Sequence, residues 1–126
     1  EAQAVVEVEA EAKNQHYGSE NKSWGTVNIV EETRRIGIYR LTILPGQSLP
    51  EHYHQRMREA ELVLHSGLEG TQDHGPRRAL SVGETFNWRK GQHHSYHNTG
   101  QSSASLLCMD SPPFDPTDEI LSGETV

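Results

Sequence analysis

Short runs rich in Ile, Leu, Val, Tyr and Thr recur along this chain, each closed by Gly or Pro, and this cadence leaves few architectures open. Turn signals at intervals of roughly 8–12 residues predict many short strands, and hence a β-sandwich or barrel rather than a helical bundle. The clearest strand covers residues 36–44 and is closed by Pro45-Gly46. Further extended runs are expected over residues 24–30, 52–54, 61–65 and 103–109. Turns fall at Ser66-Gly67 and His74-Gly75-Pro76, and Gly83, Gly91 and Gly100 punctuate three more short segments. The opening stretch alternates apolar and acidic side chains from Val6 to Ala12, as a strand with one wet face would. Residues 13–23 are polar and read as a loop, and the acidic residues after Ser111-Pro112-Pro113 read as a flexible tail.

A chain of 126 residues suits one domain with one core. Its formal charge of −7, from 18 acidic against 11 basic residues, opposes phosphate backbones and anionic membrane surfaces, so nucleic acid and membrane partners are not expected. No apolar run approaches the ~20 residues that span a bilayer, and the start lacks a basic-then-apolar leader pattern. A cytoplasmic location is the expectation. The lone Cys108 lies in the apolar stretch Leu106-Leu107-Cys108-Met109 and reads as a packing residue.

Histidine is the informative residue type, because seven of the eight fall between His52 and His97. In His52-Tyr53-His54, side chains two apart on a strand share a face, so both imidazoles can approach one ion. Five residues separate Gly46 from His52, and four separate His54 from Glu59, a carboxylate able to complete a ligand set after a change of direction. A second stretch follows the same logic, with Gly83 and Gly91 at turns and His94 and Asn98 after them.

Together these stretches resemble the two motifs of the cupin superfamily. Gly46, His52, His54 and Glu59 match the first motif through its glutamate, and Gly83, Gly91, His94 and Asn98 match the second except that Arg89 stands where the family has proline. Only 15 residues separate Gly67 from Gly83, similar to the short intermotif loop of small bacterial cupins. The closing Cys108-Met109-Asp110-Ser111-Pro112-Pro113 resembles the end of small mannose-6-phosphate-isomerase-like cupins.

The resemblance implies an all-β, double-stranded β-helix (jelly-roll) barrel. It spans a single domain over residues 1–126, with N-terminal strands and loop in 1–30, the barrel in 36–110 and a tail in 111–126. It also implies one divalent transition metal ion per chain (Fe, Mn, Ni, Cu or Zn) held by His52, His54, Glu59 and His94. Imidazole and carboxylate donors suit that group of metals. Seven residues separate Glu59 from Gly67 where the family has six, so a one-residue bulge or shift is expected and Glu61 stays open as a rival ligand. Arg89 is expected to cost the turn some rigidity.

Among the other histidines, His93 is expected to point away from His94 and to be exposed. His97 reads as a solvated or packing residue with a possible approach to the pocket, while His16, His65 and His74 have no supporting spacing. Asn98 reads as a turn residue. Tyr39, Arg40, Trp24, Trp88 and Tyr96 are candidates to line a pocket, and Arg34-Arg35 reads as a solvated loop. The functional expectation is a metal-dependent enzyme of isomerase, lyase or dioxygenase type acting on a small polar molecule. The alternative is a non-catalytic ligand-binding or sensory module, and a homodimer paired through residues 6–12 is the expected assembly.

Overall fold

The computed structural model describes residues 18–123. Residues 6–12, with the strand and the dimer pairing expected of them, and His16 lie outside the described residues.

In chain order the strands are β1 (Ser19–Lys22), β2 (Gly25–Glu32), β3 (Gly37–Ile43), β4 (Ser48–Tyr53), β5 (Arg58–Val63), β6 (Leu68–Gln72), β7 (Arg78–Ala79), β8 (Thr85–Trp88), β9 (His94–Asn98), β10 (Ala104–Ser111) and β11 (Ile120–Leu121). One 3-10 turn, Pro116–Asp118, precedes β11. The strands form two antiparallel sheets, one of order β1-β2-β3-β10-β5-β8 and one of order β11-β4-β9-β6-β7. This two-sheet architecture is the β-sandwich or barrel class expected from the cadence of short runs and turns, and the double-stranded β-helix that the resemblance implies.

The period-two pattern explains which side chains meet between the sheets. On β3, Tyr39 and Ile43 are buried while Arg40 is exposed, and on β5 Glu59, Glu61 and Val63 point inward while Arg58 points out. Ile43, Leu106, Ala104, Leu68, Val63 and Tyr96 form the heart of the core. Each fully buried Leu, Ile or Val contributes about 1.5–3 kcal/mol to holding the two sheets together.

Four expectations need correction. Within the polar stretch 13–23, residues 19–22 form β1, paired with β2 from Ser19↔Asn28 to Lys22↔Gly25. All four β1 side chains are exposed, so no apolar period betrays the strand, which is held by its backbone ladder. The turn into β2 requires Gly25: a Cβ there would stand 1.8 Å from the Thr42 carbonyl oxygen.

The bulge expected between Glu59 and Gly67 is absent from the strand, since β5 runs without a register shift from Glu59↔Trp88 to Leu62↔Thr85 against β8 and from Arg58↔Ser111 to Leu106↔Val63 against β10. Leu64 N–H still reaches the Ser105 carbonyl at 2.9 Å, and the extra residue is taken up in the turn closed by Gly67, whose φ is +103°.

Arg89 does not slacken its turn. Its N–H donates to Gln92 Oε1 at 2.9 Å, a bond proline cannot make, and Gly91 N–H donates to the His54 carbonyl at 2.7 Å.

The acidic segment after Pro113 is ordered rather than flexible through residue 123. Asp115 caps the 3-10 turn by accepting Thr117 N–H at 2.9 Å, and β11 pairs with β4 through Ile120↔Tyr53 and Leu121↔His52. Asp118 is 3% exposed, so this segment is part of the folded body.

Candidate metal centre

The four expected ligands come from three strands and one loop. His52 is on β4, Glu59 on β5 and His94 on β9, while His54 lies one residue past the end of β4. Their convergence is therefore not a matter of strand pleat alone. The ring centroids of His52 and His94 are 4.4 Å apart, those of His52 and His54 5.0 Å, and those of His54 and His94 5.6 Å. One donor atom from each of His52, His54, Glu59 and His94 lies within 4.8 Å of the others. Glu59 Oε1 is 3.1 Å from His94 Nε2 and 3.8 Å from His54 Nε2, and all four residues are buried.

Each imidazole is oriented through its other nitrogen. Nδ1–H of His52 donates to the Pro50 carbonyl at 2.8 Å, that of His94 to the Gln92 carbonyl at 3.1 Å, and that of His54 to the Asp118 carbonyl at 2.8 Å. With Nδ1 carrying the proton, the lone pair of each ring is on Nε2. His54 Nε2 is buried without a hydrogen-bond partner, which an inward lone pair awaiting an ion explains. The donor set and this orphaned atom fit a borderline divalent metal. Trp88 backs the cluster, its ring stacked on His94 at 4.5 Å and within 5° of parallel.

Electrostatics agree with the geometry. Burial, reinforced by His94, pushes the His52 pKa down to about 3, and burial also lowers that of His54, so these rings stay neutral. Burial, then the neighbouring Glu61, raises the Glu59 carboxyl well above its ordinary value. Burial and Glu59 likewise push Asp110 up to about 11. Both shifts favour the neutral carboxyl, a bias that a divalent cation beside them would offset.

Glu61, the rival carboxylate, shares the inward face but is already engaged. It accepts from Trp88 Nε1 at 2.5 Å, from Cys108 Sγ at 2.9 Å and from the Tyr96 hydroxyl. Cys108 is thus buried as expected and also holds Glu61. Tyr39 and Trp24 line the cavity that reaches the cluster, Trp88 and Tyr96 are core residues that line a second cavity beside Gly70 and Leu80, and Arg40, on the outer face of β3 by parity, lines neither.

His93 faces away from His94 but is half-buried rather than exposed, because Ser122 meets its Nδ1 at 2.6 Å and the Tyr53 ring lies against it, tilted by 35° with centroids 4.4 Å apart. His97 lies between Ser48 and Ser95, and His65 accepts Ser105 N–H at 3.1 Å; neither belongs to the cluster. Asn98 ties down its turn by donating to the carbonyls of Ile43 and Ser102, each at 2.8 Å.

Asp118 and Asp110 were not legible as site residues. Asp118 accepts backbone N–H groups of Gln55, Arg56 and Met57 at 2.9–3.2 Å, fixing the loop between His54 and Glu59. The signal that could have found it is the helix-start pattern Asp115-Pro116, which argues against a flexible tail.

A cavity of about 250 Å³ ends on His52, His54 and Glu59. Trp24, Val27, Ile29, Leu41, Leu49 and Phe114 give it an apolar wall. Lys22 is the only Lys or Arg among its described lining residues, and it pairs with Glu20 at 3.3 Å.

The sequence matches the Cupin domain family over residues 39–110. Germin-like protein 3-5 of Oryza sativa subsp. japonica is 32% identical over 91 residues, covering 67% of this chain and 38% of that protein. Oxalate oxidase GF-2.8 of Triticum aestivum is 30% identical over 82 residues, covering 60% of this chain and 37% of that protein. The chain thus spans well under half the length of the curated relatives it matches.

Among solved structures, KdgF from Halomonas sp. superposes with a TM-score of 0.71 at 19% identity, covering 82% of this chain and 94% of that one. A sugar phosphate isomerase of the cupin superfamily from Silicibacter pomeroyi superposes with a TM-score of 0.62 at 18% identity, covering 68% and 58%. At these identities the likeness is one of fold.

Proposed function

This chain belongs to the cupin family, and from that membership together with the buried cluster of His52, His54, Glu59 and His94 we propose that it is a metal-dependent enzyme of isomerase, lyase or dioxygenase type acting on a small molecule. The observation that carries the reading is the arrangement of three imidazoles whose Nδ1 protons are all taken by backbone carbonyls, two of them, His52 and His54, lining a cavity large enough for a small ligand. Fe, Mn, Ni, Cu and Zn all suit the donor set. When bound, such an ion supplies a Lewis acid with positions left over for a ligand oxygen.

The protein's own residues limit what can enter. An apolar body fits against Trp24, Ile29, Leu41 and Phe114, with a polar group directed at His52, His54 and Glu59. Glu20, Glu32 and Glu119 line the same cavity, which disfavours multiply charged anions. The small polar molecule expected from the sequence is therefore narrowed to one polar at one end only. A homodimer belongs to this reading, since among the described residues β1 pairs on one side alone and offers an edge to a second copy.

A second reading, a ligand-binding module without catalysis, is favoured by the apolar wall of Trp24, Val27, Ile29, Leu41, Leu49 and Phe114, which offers contact area but no acid-base group. Metal analysis of anaerobically purified protein, followed by turnover screens with the metal present and removed, separates the two. Stoichiometric metal with metal-dependent turnover is the expected result. Metal without turnover on any class of substrate moves the assignment to the module, and failure to take up any of the five metals on reconstitution overturns both.

A further inference from the structure

The strands that direct His52 and His94 inward present their sequence neighbours on the other face. Glu51 precedes His52 on β4 and His93 precedes His94 at the start of β9. His74, from the turn after β6, joins them: its Nδ1 lies 2.6 Å from Glu51 Oε1, and its ring centroid is 4.4 Å from that of His93. One donor atom from each of Glu51, His74 and His93 lies within 4.8 Å of the others. We propose that Glu51, His74 and His93 form a second divalent-cation site of the zinc class on the outer surface of the five-stranded sheet, separate from the buried centre.

The chemistry and the local architecture support it. Two imidazoles and a carboxylate are borderline donors suited to Zn²⁺, and three protein ligands leave a fourth position for water. His93 is oriented as a ligand is, with Nδ1 against Ser122 Oγ at 2.6 Å and Nε2 remaining for the ion. Its backbone N–H is held by Asp73 Oδ1 at 2.9 Å. His74 is delivered by two successive non-glycine residues in the left-handed region, Asp73 at φ 47° and His74 at φ 65°. That conformation turns its backbone N–H onto Glu51 Oε2 at 3.1 Å while the ring meets Oε1. Thr71 supports the same carboxylate at 3.4 Å. The His74 side chain is 63% exposed, so an ion reaches this site from solvent without passing through the cavity.

Zn²⁺ titrated calorimetrically into metal-free protein tests the site, with bound zinc counted after desalting. The His74→Ala/His93→Ala double variant is expected to bind one equivalent fewer than wild type, and His74→Ala alone to weaken that class at least tenfold, with the remaining class unchanged. The His52→Ala/His94→Ala variant is expected to keep the surface class. If the buried centre takes no zinc, wild type binds a single equivalent that vanishes in His74→Ala/His93→Ala, which upholds the surface site and counts against zinc as the ion of the buried centre. Equal stoichiometry and affinity in wild type and His74→Ala/His93→Ala overturns the proposal.

Discussion

His54 Nδ1–H donates to the carbonyl of Asp118 at 2.8 Å, across 64 positions of sequence. The side chain of Asp118 meanwhile accepts the N–H groups of Gln55, Arg56 and Met57. One residue of the C-terminal segment thus orients a candidate ligand and shapes the loop that leads from it to Glu59.

Asp118→Ala should therefore weaken metal binding without touching a ligand. It leaves three backbone N–H groups of residues 55–57 without their acceptor, each worth about 1–3 kcal/mol if it stays buried and unpaired. Loosening of an orienting contact typically lowers affinity by about 10–100-fold. Titration of metal into the apo variant, beside its thermal unfolding, measures both effects. Unchanged affinity would mean that the loop holds His54 by itself.

Substitution of the two carboxylates should separate their roles. Glu59→Gln replaces an anionic oxygen in the cluster with a neutral amide and is expected to reduce metal occupancy well below half. Glu61→Gln leaves occupancy nearly unchanged but sets an amide NH₂ among Trp88 Nε1, the Tyr96 hydroxyl and Cys108 Sγ, which all donate. Its cost should appear as a lowered Tm. Loss of metal in Glu61→Gln with retention in Glu59→Gln would reverse the assignment.

The metal-free protein should be least stable at both ends of the pH range. His52 has a folded value of about 3 against an ordinary 6.5, so the unfolded chain takes up a proton that the fold refuses, and this stability is lost as pH falls from about 6.5 toward 3. Asp110 has a folded value of about 11 against an ordinary 3.8, so the fold keeps a proton that the unfolded chain releases, and this stability is lost as pH rises toward 11. Between about pH 7 and pH 9 the imidazole no longer contributes while Asp110 does, with Glu59 and Cys108 acting in the same direction, and the apo Tm should fall. Saturating metal should flatten that fall, because the ion's charge stands in for the protons. Thermal scans of apo and loaded protein across this range check the sign; an apo Tm rising from pH 7 to 9 would contradict it.

Gly25→Ala should destabilise the fold yet spare the metal centre. The added Cβ meets the Thr42 carbonyl oxygen at 1.8 Å, so the backbone must shift where β2 begins to pair with β3 at Gly25↔Ile43. Overpacking of this kind costs about 1–3 kcal/mol. No expected ligand lies on β2 or β3, so occupancy at temperatures below unfolding should match wild type. Denaturant titration and metal analysis of the same sample test both halves.

Much of the site was legible because its causes are local. The Gly-punctuated apolar runs specify strands and turns through short-range sterics, and the same short range orients two of the three histidines. His52 bonds the carbonyl of Pro50 and His94 that of Gln92, each two residues back. The spacing of His52, His54, Glu59 and His94 was likewise open to reading without any structure. What remained hidden depends on contacts between distant segments. The four exposed side chains of β1 carry no apolar period, and only pairing with β2 makes that stretch a strand.

Glu59 and Glu61 have the same parity on β5, so pattern alone left both open. The donors that engage Glu61 arrive from β8, β9 and β10, and no local rule announces them. The acidic residues after Pro113 looked like a tail because Asp115, Asp118 and Glu119 are ordinarily solvated side chains. Asp118 is buried only because three backbone N–H groups of a loop some sixty positions earlier converge on it and offset its desolvation. Sequence by itself determined the all-β class of the fold and the spacing of His52, His54, Glu59 and His94, whereas the long-range packing of the C-terminal segment against the His54 loop decided how that cluster is held.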